Sequence, residues 1–114
     1  MKTRSVPAQT KPYAPLVEVA RNQSVFEFKE CQGTLIGFRM PDFVKGLNVP
    51  GYHAHFLTAD RKAGGHVLDF TLDCGTLELA VCSRVDLLLP ADADSLKGID
   101  FSRDRTEELE RVEK

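Results

Sequence analysis

The chain has 114 residues, 42% of them hydrophobic and 28% charged, the balance of an ordinary soluble globular protein with material for a core. Its 15 basic residues are outnumbered by 17 acidic ones, for a formal net charge of −2, which removes the electrostatic case for nucleic acid. No apolar run approaches the roughly 18 residues that cross a bilayer, so no membrane partner is expected.

The segment Met1-Lys2-Thr3-Arg4-Ser5-Val6-Pro7 starts basic but has no apolar stretch after it, so no secretory signal is expected and the expected location is cytoplasmic. Pro7, Pro12 and Pro15 make the first 15 residues read as an extended, irregular arm, and Leu16 to Asn22 as a short helical turn. Ser24 to Cys31 alternates, with Phe26 and Phe28 on one face and Glu27 and Lys29 on the other, which predicts a strand. Gln32-Gly33 then turns the chain into a second strand, Thr34 to Arg39, expected to be its hairpin partner.

Met40 to Pro50 holds two prolines, Gly46 and Asn48, and reads as a loop. Tyr52 to Leu57 is the next predicted strand, Thr58 to Gly65 a polar connection, and His66 to Leu72 a strand with His66, Leu68, Phe70 and Leu72 on one face. Asp73-Cys74-Gly75 turns the chain back into the longest alternating run, Thr76 to Leu88. There Leu77, Leu79, Val81, Val85 and Leu87 face one way and Glu78, Arg84 and Asp86 the other. In the tail the period becomes helical, with Asp104 and Glu107 spaced as a capping box and Leu109 and Val112 on one face.

These elements predict an α+β fold: one domain over residues 1–114, with a mainly antiparallel sheet of about five strands and a C-terminal helix. Residues 1–23 form the arm, 24–90 the sheet, and 91–114 a loop and helix. Cys31, Cys74 and Cys82 are odd in number and lack C-x-x-C spacing. They read as buried or half-buried free thiols in a reducing compartment, not as a disulfide framework or zinc finger.

The sharpest signal is the placement of the only three histidines. His53 and His55 are two apart on a predicted strand, so they project from the same face. His66 follows Gly64-Gly65 on the next strand, which can bring it opposite them. A single strand histidine commonly does no more than make a hydrogen bond, and a His-x-His pair recurs by chance. A third, delivered by the adjacent strand, favours a metal site on one sheet face with an open coordination position. Imidazoles suit zinc, nickel, copper or iron, and zinc is favoured as the usual choice of catalytic three-histidine sets. Gly64 and Gly65 would allow a tight backbone turn before His66. Leu68, Phe70 and Leu72 would make the pocket partly apolar. Asp69 alternates away from His66, Asp60 reads as part of a solvated loop, and Glu113 stands on the terminal helix.

The run Asn48-Val49-Pro50-Gly51-Tyr52-His53-Ala54-His55-Phe56-Leu57, with Asp60-Arg61-Lys62 and Gly64-Gly65-His66-Val67-Leu68-Asp69 after it, strongly resembles the alpha-acetolactate decarboxylase family. Arg4-Ser5-Val6-Pro7-Ala8-Gln9 with Pro12-Tyr13, Gly33-Thr34-Leu35-Ile36-Gly37-Phe38-Arg39, and Val112-Glu113 extend the resemblance over essentially the whole chain.

The resemblance implies a zinc-dependent carboxy-lyase that converts 2-acetolactate to acetoin and carbon dioxide, with His53, His55 and His66 as metal ligands. It implies a C-terminal glutamate at the site, best matched by Glu113 and more weakly by Glu110, and an active-site arginine matched by Arg4. Arg39 is a second basic residue whose strand position suggests packing or a salt bridge. Family members carry a substantial N-terminal half, including another active-site glutamate, that this chain does not match. The chain therefore looks like the C-terminal half of the enzyme, with exposed apolar surface where the other half would pack. The small-molecule partner implied is 2-acetolactate, and the protein partner is a second copy, as a homodimer, or the missing N-terminal half. Two other readings compete. One is a fragment that binds metal or a small molecule without catalysis, and the other a three-histidine metalloenzyme of cupin type, such as an iron oxygenase.

Overall fold

The computed structural model describes all residues except Pro90, Gly98, Phe101 and Lys114, and excepting also the side chains of Ala93, Ser95, Arg111 and Glu113. The described residues fall into two compact units, 1–71 with 104–114, and 72–103.

The first unit is built on one sheet. Its strands are β1 (Lys2–Ser5), β2 (Ser24–Glu27), β3 (Gly33–Met40), β4 (Gly51–Thr58) and β5 (Gly64–Asp69), in the order β2-β1-β5-β4-β3. All four pairings are antiparallel, so the expected five-stranded antiparallel sheet is present. Its membership differs from the expected one. The N-terminal residues are not wholly an irregular arm: Lys2–Ser5 is an interior strand of the sheet, with Arg4 opposite Val25 on one side and His66 on the other. Two flanking strands saturate its backbone groups, which a short polar tetrapeptide does not advertise locally.

β2 and β3 do not form a hairpin either; they lie at opposite edges. Glu30, between them, has φ 48°, a left-handed conformation. β3 runs instead along the whole of β4, from Gly33 opposite Thr58 to Met40 opposite Gly51.

The β4–β5 hairpin is closed by its own side chains. The Thr58 N–H donates to the Ala63 carbonyl (2.9 Å) and the Thr58 hydroxyl to Asp60 Oδ1 (2.6 Å), while Lys62 N–H also donates to Asp60 Oδ1 (3.1 Å). These bonds hold the Asp60 carboxyl below the usual carboxylate range, the Thr58 hydroxyl contributing most. Gly64 and Gly65 lie within β5, where they permit close strand approach and not a tight turn. A Cβ on Gly65, whose φ is +151°, would stand 2.5 Å from the Arg4 carbonyl oxygen, and one on Gly64 would collide with the Phe56 carbonyl.

Helix α1 (Leu16–Arg21) appears where a helical turn was expected. The next helix in the chain, α2 (Ala93–Leu96), belongs to the second unit. Helix α3 (Thr106–Glu113) packs against α1. Asp104 opens α3 by accepting from the Thr106 N–H (2.8 Å) and hydroxyl. These bonds, the hydroxyl first, lower the Asp104 pKa. The core consists of Val19, Val44, Phe56 and Val112, with Phe28 tilted against Phe56 at 5.9 Å between ring centroids.

The predicted strand Thr76 to Leu88 is absent: these residues carry no regular secondary structure. Leu79 is 87% exposed and Val81 99%. Alternation gives a segment two faces, but a strand also needs a neighbour to take its hydrogen bonds, and no ladder reaches this segment among the described residues. The cysteines are free, as expected, but exposed instead of buried, because Cys74 and Cys82 fall in this second unit and Cys31 in the β2–β3 connection. Among the described residues no helix is long and apolar enough to cross a membrane.

Candidate metal centre

The hairpin sets the site. Residues directly opposite in an antiparallel pair share a face, and His55 lies directly opposite His66. His53, two residues back along β4, adds a third ring to the same side. The ring of His66 stands edge-on to both others, with centroids 4.9 Å from His53 and 5.3 Å from His55. His53 and His55 stack, and their Nε2 atoms are 3.3 Å apart. One ring nitrogen from each of the three lies within 4.8 Å of the others.

The donor set fits a metal ion. Two nitrogens bound tetrahedrally to zinc at about 2.0–2.1 Å stand about 3.3–3.4 Å apart, the separation found between His53 and His55. The same distance suits one neutral imidazole donating to the other. That bond does not call for a third nitrogen in the same cluster, whereas a shared ion does. Burial is graded across the set: His66 is 5% exposed, His53 half-buried and His55 exposed. One side of the cluster is thus anchored in the sheet and the other open to a ligand.

The other expected residues divide. Arg4 stands opposite His66 on the other side of β5, is 7% exposed, and so shares the histidine face. Its Nη2 donates to the Val112 carbonyl at 2.5 Å in the last turn of α3. The α3 backbone continues to Glu113, whose side chain lies outside the described residues. Glu110 is exposed. Arg39 pairs with Tyr52, not with a histidine position, so it projects from the opposite face, where its guanidinium lies 5.9 Å from the Tyr52 ring centroid. Asp69 is exposed opposite Lys2, beyond a register shift that interrupts the alternation from His66.

The expected apolar lining is different. β5 ends at Asp69, so Phe70 and Leu72 do not continue the histidine face and are 48% and 68% exposed. Only Leu68 of the three is half-buried. The apolar flank comes instead from β3, where Ile36 is opposite His55 and Phe38 opposite His53, 72% and 59% exposed. Sequence reasoning missed this pair because it assigned β3 to β2. The alternation of Ile36 and Phe38 across Gly37 was a visible signal, though it does not name a partner strand.

The chain matches the family model for alpha-acetolactate decarboxylase over residues 1–103. It is 49% identical over 114 residues to an alpha-acetolactate decarboxylase of Methanosarcina mazei, covering 100% of this chain and 39% of that protein. It is 42% identical to the protein of the same name from Methylococcus capsulatus, covering 99% of this chain and 43% of that one. The crystal structure of alpha-acetolactate decarboxylase from Bacillus subtilis strain 168 superimposes with a TM-score of 0.80 at 33% identity, over 98% of this chain and 48% of that chain. The chain thus spans less than half the length of these relatives. With a match of this extent, and a histidine hairpin to accompany it, this chain belongs to the alpha-acetolactate decarboxylase family.

Proposed function

We propose that this chain carries the metal-binding part of a zinc-dependent carboxy-lyase that converts 2-acetolactate to acetoin and carbon dioxide. The observation that supports this most is the convergence of three imidazole nitrogens within 4.8 Å, on two register-paired strands, in a chain of this family. Residues 1–114 act in this reading as a single domain in the cytoplasm, a compartment compatible with three free, exposed thiols.

His53, His55 and His66 would hold the ion as neutral ligands on an anchored floor, leaving the exposed His55 side for substrate. When bound, zinc supplies Lewis-acid stabilisation of negative charge on the substrate's ketone oxygen. That ketone takes up the electron pair left when carbon dioxide departs, so no organic cofactor is called for. Arg4, on the same face, orients the substrate carboxylate through the planar donor fork of its guanidinium. Glu113, or more weakly Glu110, would complete the ligand set. Glu113, or the glutamate of the N-terminal half that this chain does not match, would return a proton to the carbon that lost its carboxylate.

A second reading, a fragment that holds metal and a small hydroxy acid without turnover, is favoured by the exposure of His55, Ile36 and Phe38 and by the chain's share of its relatives' length. In that reading a second copy, or a segment equivalent to the rest of the relatives' length, covers the flank.

Acetoin formation from 2-acetolactate, measured with and without zinc and without oxygen, tests both. The expected result is zinc-dependent, oxygen-independent acetoin, with zinc affinity lowered by more than about 100-fold in His55→Ala. Full zinc stoichiometry in that variant overturns the ligand set. Zinc binding without acetoin selects the second reading.

A further inference from the structure

The end of α3 needs partners from outside the helix. The last carbonyls of a helix have no partners within it, and they carry the negative end of its dipole. The last turn holds Glu110 and Glu113, of the wrong sign for that end, beside the cations Arg111 and, next in sequence, Lys114. At eight residues the helix is also too short to persist alone. The contact made at this end comes from the far side of the sequence. The buried Arg4 guanidinium donates to the carbonyl of Val112, itself 6% exposed, across 108 positions of chain. Arg4 is at the same time the β1 residue in register with His66. Arg4 therefore pairs through its backbone with the strand bearing the buried histidine and reaches with its side chain the residue immediately before Glu113.

We propose that Arg4 is a positioning residue for the metal centre: it caps the C-terminus of α3 and fixes the Glu113 backbone beside the histidine face, whether or not substrate is present. The inference rests on the metal reading above, and it differs from the carboxylate clamp in a measurable way. A clamp alters substrate binding and turnover and leaves metal affinity in substrate-free protein untouched. A helix latch alters metal affinity with no substrate there. The fork geometry matters to both, since a lysine offers a point charge in place of the planar donors.

The test uses the full chain without substrate, comparing wild type with Arg4→Ala and Arg4→Lys. Three quantities are read: amide exchange across Thr106–Glu113, zinc affinity by chelator competition, and the visible spectrum of the cobalt-substituted protein. The expected result is loss of α3 protection with the sheet amides of β4 and β5 still protected, a zinc affinity lower by about 10–100-fold, and an altered cobalt spectrum. Arg4→Lys should recover part of each. If Arg4→Ala does not fold, Arg4→Lys decides. Wild-type α3 protection, or wild-type zinc affinity, in the folded variant overturns the latch. Failure of the wild-type chain to bind zinc or cobalt overturns the metal reading itself, so the two failures are distinct.

Discussion

The hairpin Gly51–Asp69 and the stretch 72–89 are both built from alternating apolar and polar side chains, yet Phe56 is 6% exposed and Leu79 87%. The hairpin has what the stretch lacks. Its turn is tied by Thr58 and Asp60, β3 runs along one side, and β1 along the other. The stretch has the bend at Asp73 and Cys74 but no ladder among its described residues. Strand formation is a property of pairs, and alternation supplies only one member.

That contrast can be broken by experiment, and the largest expected effect lies in the hairpin. Phe56→Ala should lower unfolding free energy by about 3–5 kcal/mol in a denaturant titration; a loss under about 1 kcal/mol would deny Phe56 its place in the core. Gly65→Ala comes next. It forces a Cβ onto the Arg4 carbonyl at a positive φ and should cost more than about 1 kcal/mol, with amide exchange rising first in β1. Protected β1 amides in that variant would show that the β1–β5 approach is looser than described.

A smaller effect concerns Asp60. Its folded pKa is depressed, so its contribution is present above the unfolded carboxylate value of about 3.9 and is lost as pH falls through the lower folded value. The Lys62 amide resonance should titrate with a midpoint below about 3.9; a midpoint at or above it would break the turn network. Smallest is Val81→Ser, expected to change stability by no more than about 0.5 kcal/mol. A larger loss by the same titration would mean that residues 72–89 are paired in solution.

How much of this could be read from the chain depends on the distance between partners. His53, His55 and His66 were legible because one local hairpin carries all three and strand periodicity fixes their common face. Arg4 was not legible from pattern: β1 is short and polar, and its neighbours are β2 and β5, far along the sequence. Only the family resemblance singled it out. The β2–β3 hairpin failed for a related reason. Adjacent strands with a Gln32-Gly33 turn satisfy every local rule, but competition for edges is decided by the whole sheet. The run from Thr76 to Leu88 misled in the opposite sense, since its pattern is stronger than that of β1 and its partner is missing from the described residues. The Glu113 side chain lies outside the described residues.

The position of Lys2–Ser5 between β2 and β5 has a consequence for biosynthesis. As translation proceeds, this tetrapeptide leaves the ribosome before both of its neighbours and must wait with one open edge until His66 has followed. The centre of the sheet therefore closes late, and the imidazole cluster gains its inner wall only then. Nascent chains pass through an interval in which an unsatisfied strand edge is available to neighbours, the circumstance in which chaperones become useful.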